Sequence, residues 1–168
     1  MINMAGKILN KNGIGREEIE LVRGKMEDLK LPIDKVDIVV SEWMGYGLLY
    51  ETMLPSVLNA RDRYMNEGGT MWPNKCQMYL EGCCDQRMGY WDNVYGIDMG
   101  DMKEQAMREL CKEAVVEVFD ESNVATDRMA FWECDLNKVK DEELDFDREF
   151  GVGLQGEESK LINCFLVR

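Results

Sequence analysis

Ile2, Ala5, Ile8 and Leu9 recur with the period of one helix face, and Asn12-Gly13 follows as a stop, so the pattern predicts a helix at the start of the chain. Ile19-Glu20-Leu21-Val22 reads as a strand closing at Gly24, followed by a loop through Met26-Glu27-Asp28 and a stop at Pro32. Val36 to Val40 is the next predicted strand. From Glu51 to Met65 the helical period returns: Leu54, Val57, Leu58, Arg61 and Met65 form a stripe, Pro55 fits only near the first turn, and Gly68-Gly69 is expected to end the helix. Thr70-Met71-Trp72 and the run from Lys75 to Cys84 change to β alternation, with Cys76, Met78 and Leu80 on one side. A helix and two apolar strands with acids just beyond each strand's end suit an α/β sheet whose ligands sit at the strands' carboxyl ends. The change of period near residue 70 predicts a following, mainly β half.

Ser41 to Glu51 is the most informative stretch. Glu42 and Glu51 are nine positions apart, which leaves them on opposite faces of either a continuous helix or a strand. They converge only if the chain folds back. Gly45 and Gly47 give the backbone that freedom, and Trp43, Met44, Tyr46, Leu48 and Leu49 are too apolar for a loop that floats in water, so the loop is expected to line a pocket. Two converging carboxylates are a site for a cation. A guanidinium suits them: it keeps its charge at all ordinary pH and offers a planar fork of N–H donors. The plainer reading is two surface acids in an acidic chain.

Acidic residues outnumber basic ones 33 to 20 over 168 residues, a formal charge of −13, which argues against direct nucleic-acid binding. The excess reads two ways, as a fit to a basic, arginine-rich peptide or as a solvated surface, since Glu17-Glu18 and Asp141-Glu142-Glu143 sit in helices and turns. With 45% hydrophobic and 32% charged residues the balance is that of a globular domain. The chain has no histidine, which removes histidine acid–base chemistry and Cys/His zinc sites, and no acid cluster has metal-ligand spacing. Cys76, Cys83, Cys84, Cys111, Cys134 and Cys164 show no C-x-x-C pair and no framework spacing, so reduced thiols are expected. Cys83-Cys84 reads as core within an apolar strand rather than as a redox pair. No signal peptide and no membrane-spanning apolar segment is apparent. Gly151 to Gly156 spells G-x-G-x-x-G but lacks the following helix and later acid of a dinucleotide site, so a glycine-rich β turn is expected there.

Ser41-Glu42-Trp43-Met44-Gly45-Tyr46, followed by Tyr50-Glu51, closely resembles the double-E loop of the protein arginine N-methyltransferase family. Glu18 to Pro32, Leu54 to Tyr64 and Trp91-Asp92-Asn93-Val94-Tyr95-Gly96-Ile97-Asp98-Met99 also read like that family. The resemblance covers roughly Ala5 to Leu154. It implies the C-terminal part of a class I S-adenosylmethionine-dependent methyltransferase (Rossmann-like) fold over residues 1–69. The beginning of a β-barrel would follow over 70–168, with an inserted helical dimerisation arm at about 85–112. It further implies S-adenosyl-L-methionine as cofactor and a type I-like enzyme of the cytoplasm or nucleus. By the same resemblance Glu42 and Glu51 are catalytic, Met26, Glu27 and Met53 contact the cofactor, and Met44 and Tyr46 shape the substrate pocket. The implied partners are an arginine-rich protein, such as a histone or RNA-binding protein, and a second copy docked through Met88, Trp91, Tyr95 and Met99. The arm is shorter than in relatives between Asp85 and Trp91. The family's glycine-rich cofactor loop and threonine-histidine-tryptophan loop have no counterpart here, so the resemblance implies a central segment cut at both ends. A non-catalytic arginine-peptide-binding or dimerisation module derived from such an enzyme is the alternative.

Overall fold

The structure is a computed structural model that describes residues 1–155 and 162–168. Helix α1 (Ile2–Lys11) ends where predicted, with Gly13 in the left-handed region at φ 71°. Strand β1 (Val36–Val40), helix α2 (Leu54–Tyr64) and strand β2 (Met65–Trp72) form a β–α–β unit whose two strands pair in parallel. Pro55 lies in the first turn of α2, where its missing N–H costs no helical bond. Of the stripe read from the sequence, Leu54, Val57, Leu58 and Arg61 are buried together with Tyr64, whereas Met65 opens β2 and is half-buried.

The second sheet is antiparallel, with β3 (Lys75–Cys83) between β4 (Met129–Asp135) and β5 (Cys164–Val167). The connection from β3 to β4 carries a 3₁₀ turn (Gln86–Asp92) and helix α3 (Gly100–Leu110). The alternation of Cys76, Met78 and Leu80 holds: all three are turned inward while Lys75 and Gln77 are exposed. The two sheets share one core. Trp43, Leu54, Val57, Leu58 and Met71 from the first half pack with Leu136 and Val139, which follow β4. Arg61 closes that seam, its Nη1 donating to the carbonyls of both Leu136 and Val139 at 2.7 Å. Asn137 accepts the Met71 N–H on its side-chain oxygen at 3.0 Å.

Three expectations are corrected. Ile19 to Val22 forms no strand, and Ile19, Leu21 and Val22 are exposed. A strand exists only by hydrogen bonding to a neighbour, and among the described residues nothing pairs with this segment. Gly68-Gly69 does not end α2; the helix closes at Tyr64 and both glycines lie within β2. There they allow an irregular register, from Val36 opposite Met65 to Ile38 opposite Thr70. A Cβ on Gly69 would lie 2.9 Å from the Asp37 carbonyl oxygen, so glycine is needed for the close approach of β1. Instead of a glycine-rich turn, Gly151 to Gln155 runs as a bridging segment, with Leu154 opposite Thr126 and the Gly153 carbonyl accepting from Asp127 N–H. Gly156 lies outside the described residues, as does Leu161 of the final apolar run.

Candidate active site

The glutamate loop leaves the sheet where both parallel strands end. Ser41 N–H donates to the carbonyl of Trp72, the last residue of β2, at 2.9 Å, which pins the start of the loop to the carboxyl edge of the sheet. Glu42 comes next and is exposed; Trp43 turns inward and is 2% exposed in the shared core. The chain then reverses. Gly45 and Leu48 exchange both backbone hydrogen bonds at 3.0 Å around Tyr46-Gly47, and Gly47 takes the left-handed conformation at φ 52°. Leu48 (φ 62°) and Thr52 (φ 53°) share that conformation without being glycine, each at a cost of about 1–3 kcal/mol that the surrounding packing must hold.

The two glycines therefore do different things. Gly47 supplies the turn, whereas Gly45 supplies space for Glu51. A Cβ on Gly45 would lie 2.5 Å from the Glu51 Cγ and 3.0 Å from its Cβ and Cδ. Glu51 is folded back against Gly45. Neither Glu42 nor Glu51 has a hydrogen-bond or ion-pair partner among the described residues.

Trp43, Leu48 and Leu49 turn inward onto the shared core, whereas Met44, Tyr46, Tyr50 and Met53 stand exposed on the outer side of the loop. In open water an ion pair is worth only about 1 kcal/mol, so a firm grip on a cation needs that side covered.

Met53 occupies the N-cap of α2, and the first turn of that helix also receives the second candidate segment. The Ser56 hydroxyl donates to Glu27 Oε1, and this bond, with Glu27's own backbone N–H, holds the carboxyl below the usual carboxylate range. Arg63, further along α2, ties down the same loop by donating to the carbonyls of Met26 at 2.9 Å, Glu27 at 3.1 Å and Leu29. Tyr64 adds its hydroxyl between the Leu29 carbonyl and the Leu31 N–H. Ser56 and Arg63 are site-building residues that sequence patterning missed, because on a helix they read as solvent-facing polar positions. The N-terminal end of α2 thus gathers Glu27, Met53 and the Glu51 limb of the loop. Met26 is half-buried beside Glu27.

On the inserted segment, Trp91 and Met99 are half-buried and joined by a 3.0 Å bond from Met99 N–H to the Trp91 carbonyl. Tyr95, at φ 54° in a tight reversal, is 97% exposed. The Met88 side chain is not described. Tyr90, Ile97 and Met102 extend the exposed apolar surface. Among the described residues no group of three His, Cys, Asp or Glu side chains can hold a metal, and no helix is long and apolar enough to cross a membrane.

Residues 74–166 match the arginine methyltransferase oligomerization subdomain. Protein arginine N-methyltransferase 1 of Dictyostelium discoideum is 39% identical over 172 residues, covering 99% of this chain and 48% of that protein. The Saccharomyces cerevisiae protein of the same name is 41% identical over 155 residues, covering 89% of this chain and 43% of that one. Among solved structures, the Trypanosoma brucei PRMT1 enzyme–prozyme heterotetrameric complex with AdoHcy superposes with a TM-score of 0.69 at 37% identity, over 86% of this chain and 45% of the other. Arabidopsis thaliana protein arginine methyltransferase 10 gives a TM-score of 0.68 at 28% identity. The chain spans about half the length of the curated relatives it matches.

Proposed function

Because the chain belongs to the arginine methyltransferase family, we propose that it contributes the guanidinium-gripping loop and the oligomerisation surface of an enzyme that methylates arginine side chains of proteins. The observation that carries this reading is the folding of Glu51 over Gly45, in the same loop that starts with Glu42 at the carboxyl edge of the parallel strands. On this reading residues 1–69 belong to the cofactor-binding half and 70–168 to the barrel half.

A guanidinium needs polarising rather than deprotonating. Glu42 and Glu51 accept its N–H donors and draw positive charge toward one side of the fork, which leaves the remaining nitrogen richer in electrons and fixed in direction. Tyr46 and Met44 enclose the apolar stem of the arginine. S-adenosyl-L-methionine, when bound, supplies a methyl group on a sulfonium. The residues present fit its adenine end: Glu27 keeps an ionised oxygen as acceptor for an amine, oriented by Ser56, and Met26 gives a half-buried apolar face beside it. Met53 follows the glutamate loop directly, at the N-cap of α2, and on this reading limits the room around the methylated nitrogen. Oligomerisation through the exposed arm around Trp91 and Tyr95 is supported by the subdomain match and by the assembled state of the Trypanosoma brucei relative.

The test uses a hybrid in which residues 1–168 replace the matching segment of the Saccharomyces cerevisiae relative. Glu42→Gln and Glu51→Gln should each lower methyl transfer to an arginine peptide by about a hundredfold or more, the size expected for a lost preorganised electrostatic contact. Turnover near that of the parent hybrid in either variant removes that residue from the site.

A further inference from the structure

One pair of side chains lies outside the proposed methyl-transfer site yet has its own chemistry. Cys76 of β3 and Cys134 of β4 are directly opposite in the antiparallel register, and their Sγ atoms are 3.4 Å apart. Opposed residues in such a ladder have Cα atoms about 4.5–5.5 Å apart, within the roughly 4.4–6.8 Å that a disulfide spans, so the backbone need not move for the two sulfurs to bond. Both thiols are free and half-buried, at the mouth of an open recess of about 510 Å³ that also includes Lys75 and Tyr79.

We propose that Cys76 and Cys134 form a dithiol that low-molecular-weight disulfides such as glutathione disulfide oxidise, stapling β3 to β4 at the seam beneath the glutamate loop. The position gives the bond its effect. Both cysteines pack against the core that contains Trp43 of the loop, and Cys134 lies just before Leu136 to Val139, whose carbonyls hold Arg61.

The two sulfurs divide the work. The two thiols share one hydrogen bond in which either sulfur can donate, and that bond stabilises a thiolate on the accepting sulfur, so one member of the pair, Cys76 or equally Cys134, ionises and attacks. When it is Cys76, its thiolate displaces one sulfur of the small disulfide, forming a mixed disulfide and releasing a thiolate that takes a proton from solvent. Capping Cys76 breaks the hydrogen bond between the two sulfurs and leaves Cys134 free to ionise. It then loses its proton to solvent and attacks the Cys76 sulfur, and the second small thiolate leaves and is protonated. Two protein thiols are oxidised and one small disulfide is reduced to two thiols. The other cross-strand pair, Cys83 opposite Cys164, is poorly suited to start this chemistry: Cys83 is fully buried and pushed up to about 11 by burial, and burial raises Cys164 as well.

The experiment incubates the chain with glutathione disulfide, blocks free thiols with N-ethylmaleimide, and maps linked peptides by mass spectrometry. The Cys76–Cys134 peptide, two hydrogens lighter than its reduced form, should appear at least about tenfold faster than any link involving Cys83, Cys111 or Cys164 and should revert with dithiothreitol. In Cys134→Ser a mixed disulfide should persist at Cys76, and in Cys76→Ser one should persist at Cys134, since neither can then be resolved. The oxidised chain should also melt roughly 5–10 °C higher, from closing a long loop. A stable glutathione adduct on Cys76 in the unsubstituted chain, preferential oxidation elsewhere, or an unchanged melting temperature after the link forms overturns the proposal. The linked peptide is read on the unsubstituted chain, so a variant that misfolds does not remove the test, and loss of methyl transfer in the glutamate variants leaves this result unaffected.

Discussion

Replacing Gly45 by alanine should separate positioning from folding. The glycine is not in the left-handed region, so alanine can adopt its backbone, and the effect falls on what the new methyl group meets. That group would lie 2.5 Å from Glu51 Cγ and 3.0 Å from its Cβ and Cδ. Carbon atoms pack at about 3.5–4.0 Å, so the Glu51 side chain must retreat by roughly 1 Å. A displacement of that size at a reacting centre costs on the order of a hundredfold, about 2.7 kcal/mol in transition-state stabilisation. The same change should alter folding stability by less than about 1 kcal/mol, since Glu51 is exposed and can swing outward. Gly47→Ala is the opposite case. Nothing lies within 4 Å of its added carbon, but φ is 52°, so it should cost about 1–2 kcal/mol of stability and act on Glu51 only indirectly. Initial rates on an arginine peptide in the yeast hybrid, together with urea unfolding of each variant, separate the two effects. If Gly45→Ala keeps kcat/KM within about threefold of the parent, the claim that its empty space positions Glu51 is refuted.

Two further outcomes follow from the packing and the ion pairs. Arg61→Ala leaves the buried carbonyls of Leu136 and Val139 without their 2.7 Å donors, and should cost about 2–4 kcal/mol in urea or thermal unfolding, with Arg61→Lys recovering only part of it. Asp85 is held below its usual 3.8 first by Arg87, whose side chain and backbone N–H both donate to it, so its contribution is present above the unfolded value and is lost as pH falls through the lower folded value. The difference in melting temperature between the parent and Asp85→Asn should accordingly be seen at pH 6 and shrink as the solution is acidified below about pH 4; a difference that is constant with pH contradicts the pairing.

Periodicity found the elements whose stability is local or whose one face is buried. The α2 stripe from Leu54 to Arg61 and the alternation through Leu80 could be read because each turns its apolar side chains against a partner implied by the period, whereas the run Val36 to Val40 was legible from its β-branched content, with Ile38 and Val40 left exposed. Ile19 to Val22 has an equally apolar pattern and failed, since a strand also needs a neighbour that the pattern does not name. Gly68-Gly69 failed for a related reason: glycine marks either a stop or a close approach, and only the contact with the Asp37 carbonyl decides between them. The glycines at 45 and 47 made the reversal that brings Glu51 against Gly45 legible, whereas the roles of Glu42, Glu51 and Glu27 came from the family resemblance. Ser56 and Arg63 were not legible, because their partners are distant in sequence, 29 residues away for Ser56 and 36 or 37 for Arg63's bonds to Glu27 and Met26. Arg61 was legible as an anomaly, a cation in an apolar stripe, though not as a clamp.

The seam made by Arg61 has a consequence for the order in which the chain acquires structure. Helix α2 is local and can form early, but the two carbonyls that satisfy its buried guanidinium are 75 and 78 residues away. Until synthesis has passed Val139 the Nη1 of Arg61 lacks both its carbonyl acceptors, although Nε keeps its pair with Asp62, the facing core is incomplete, and Trp43 lacks part of the surface it packs against. The long separation makes closure of this seam a late and entropically costly step, so the conformation of the glutamate loop is settled by residues translated well after it.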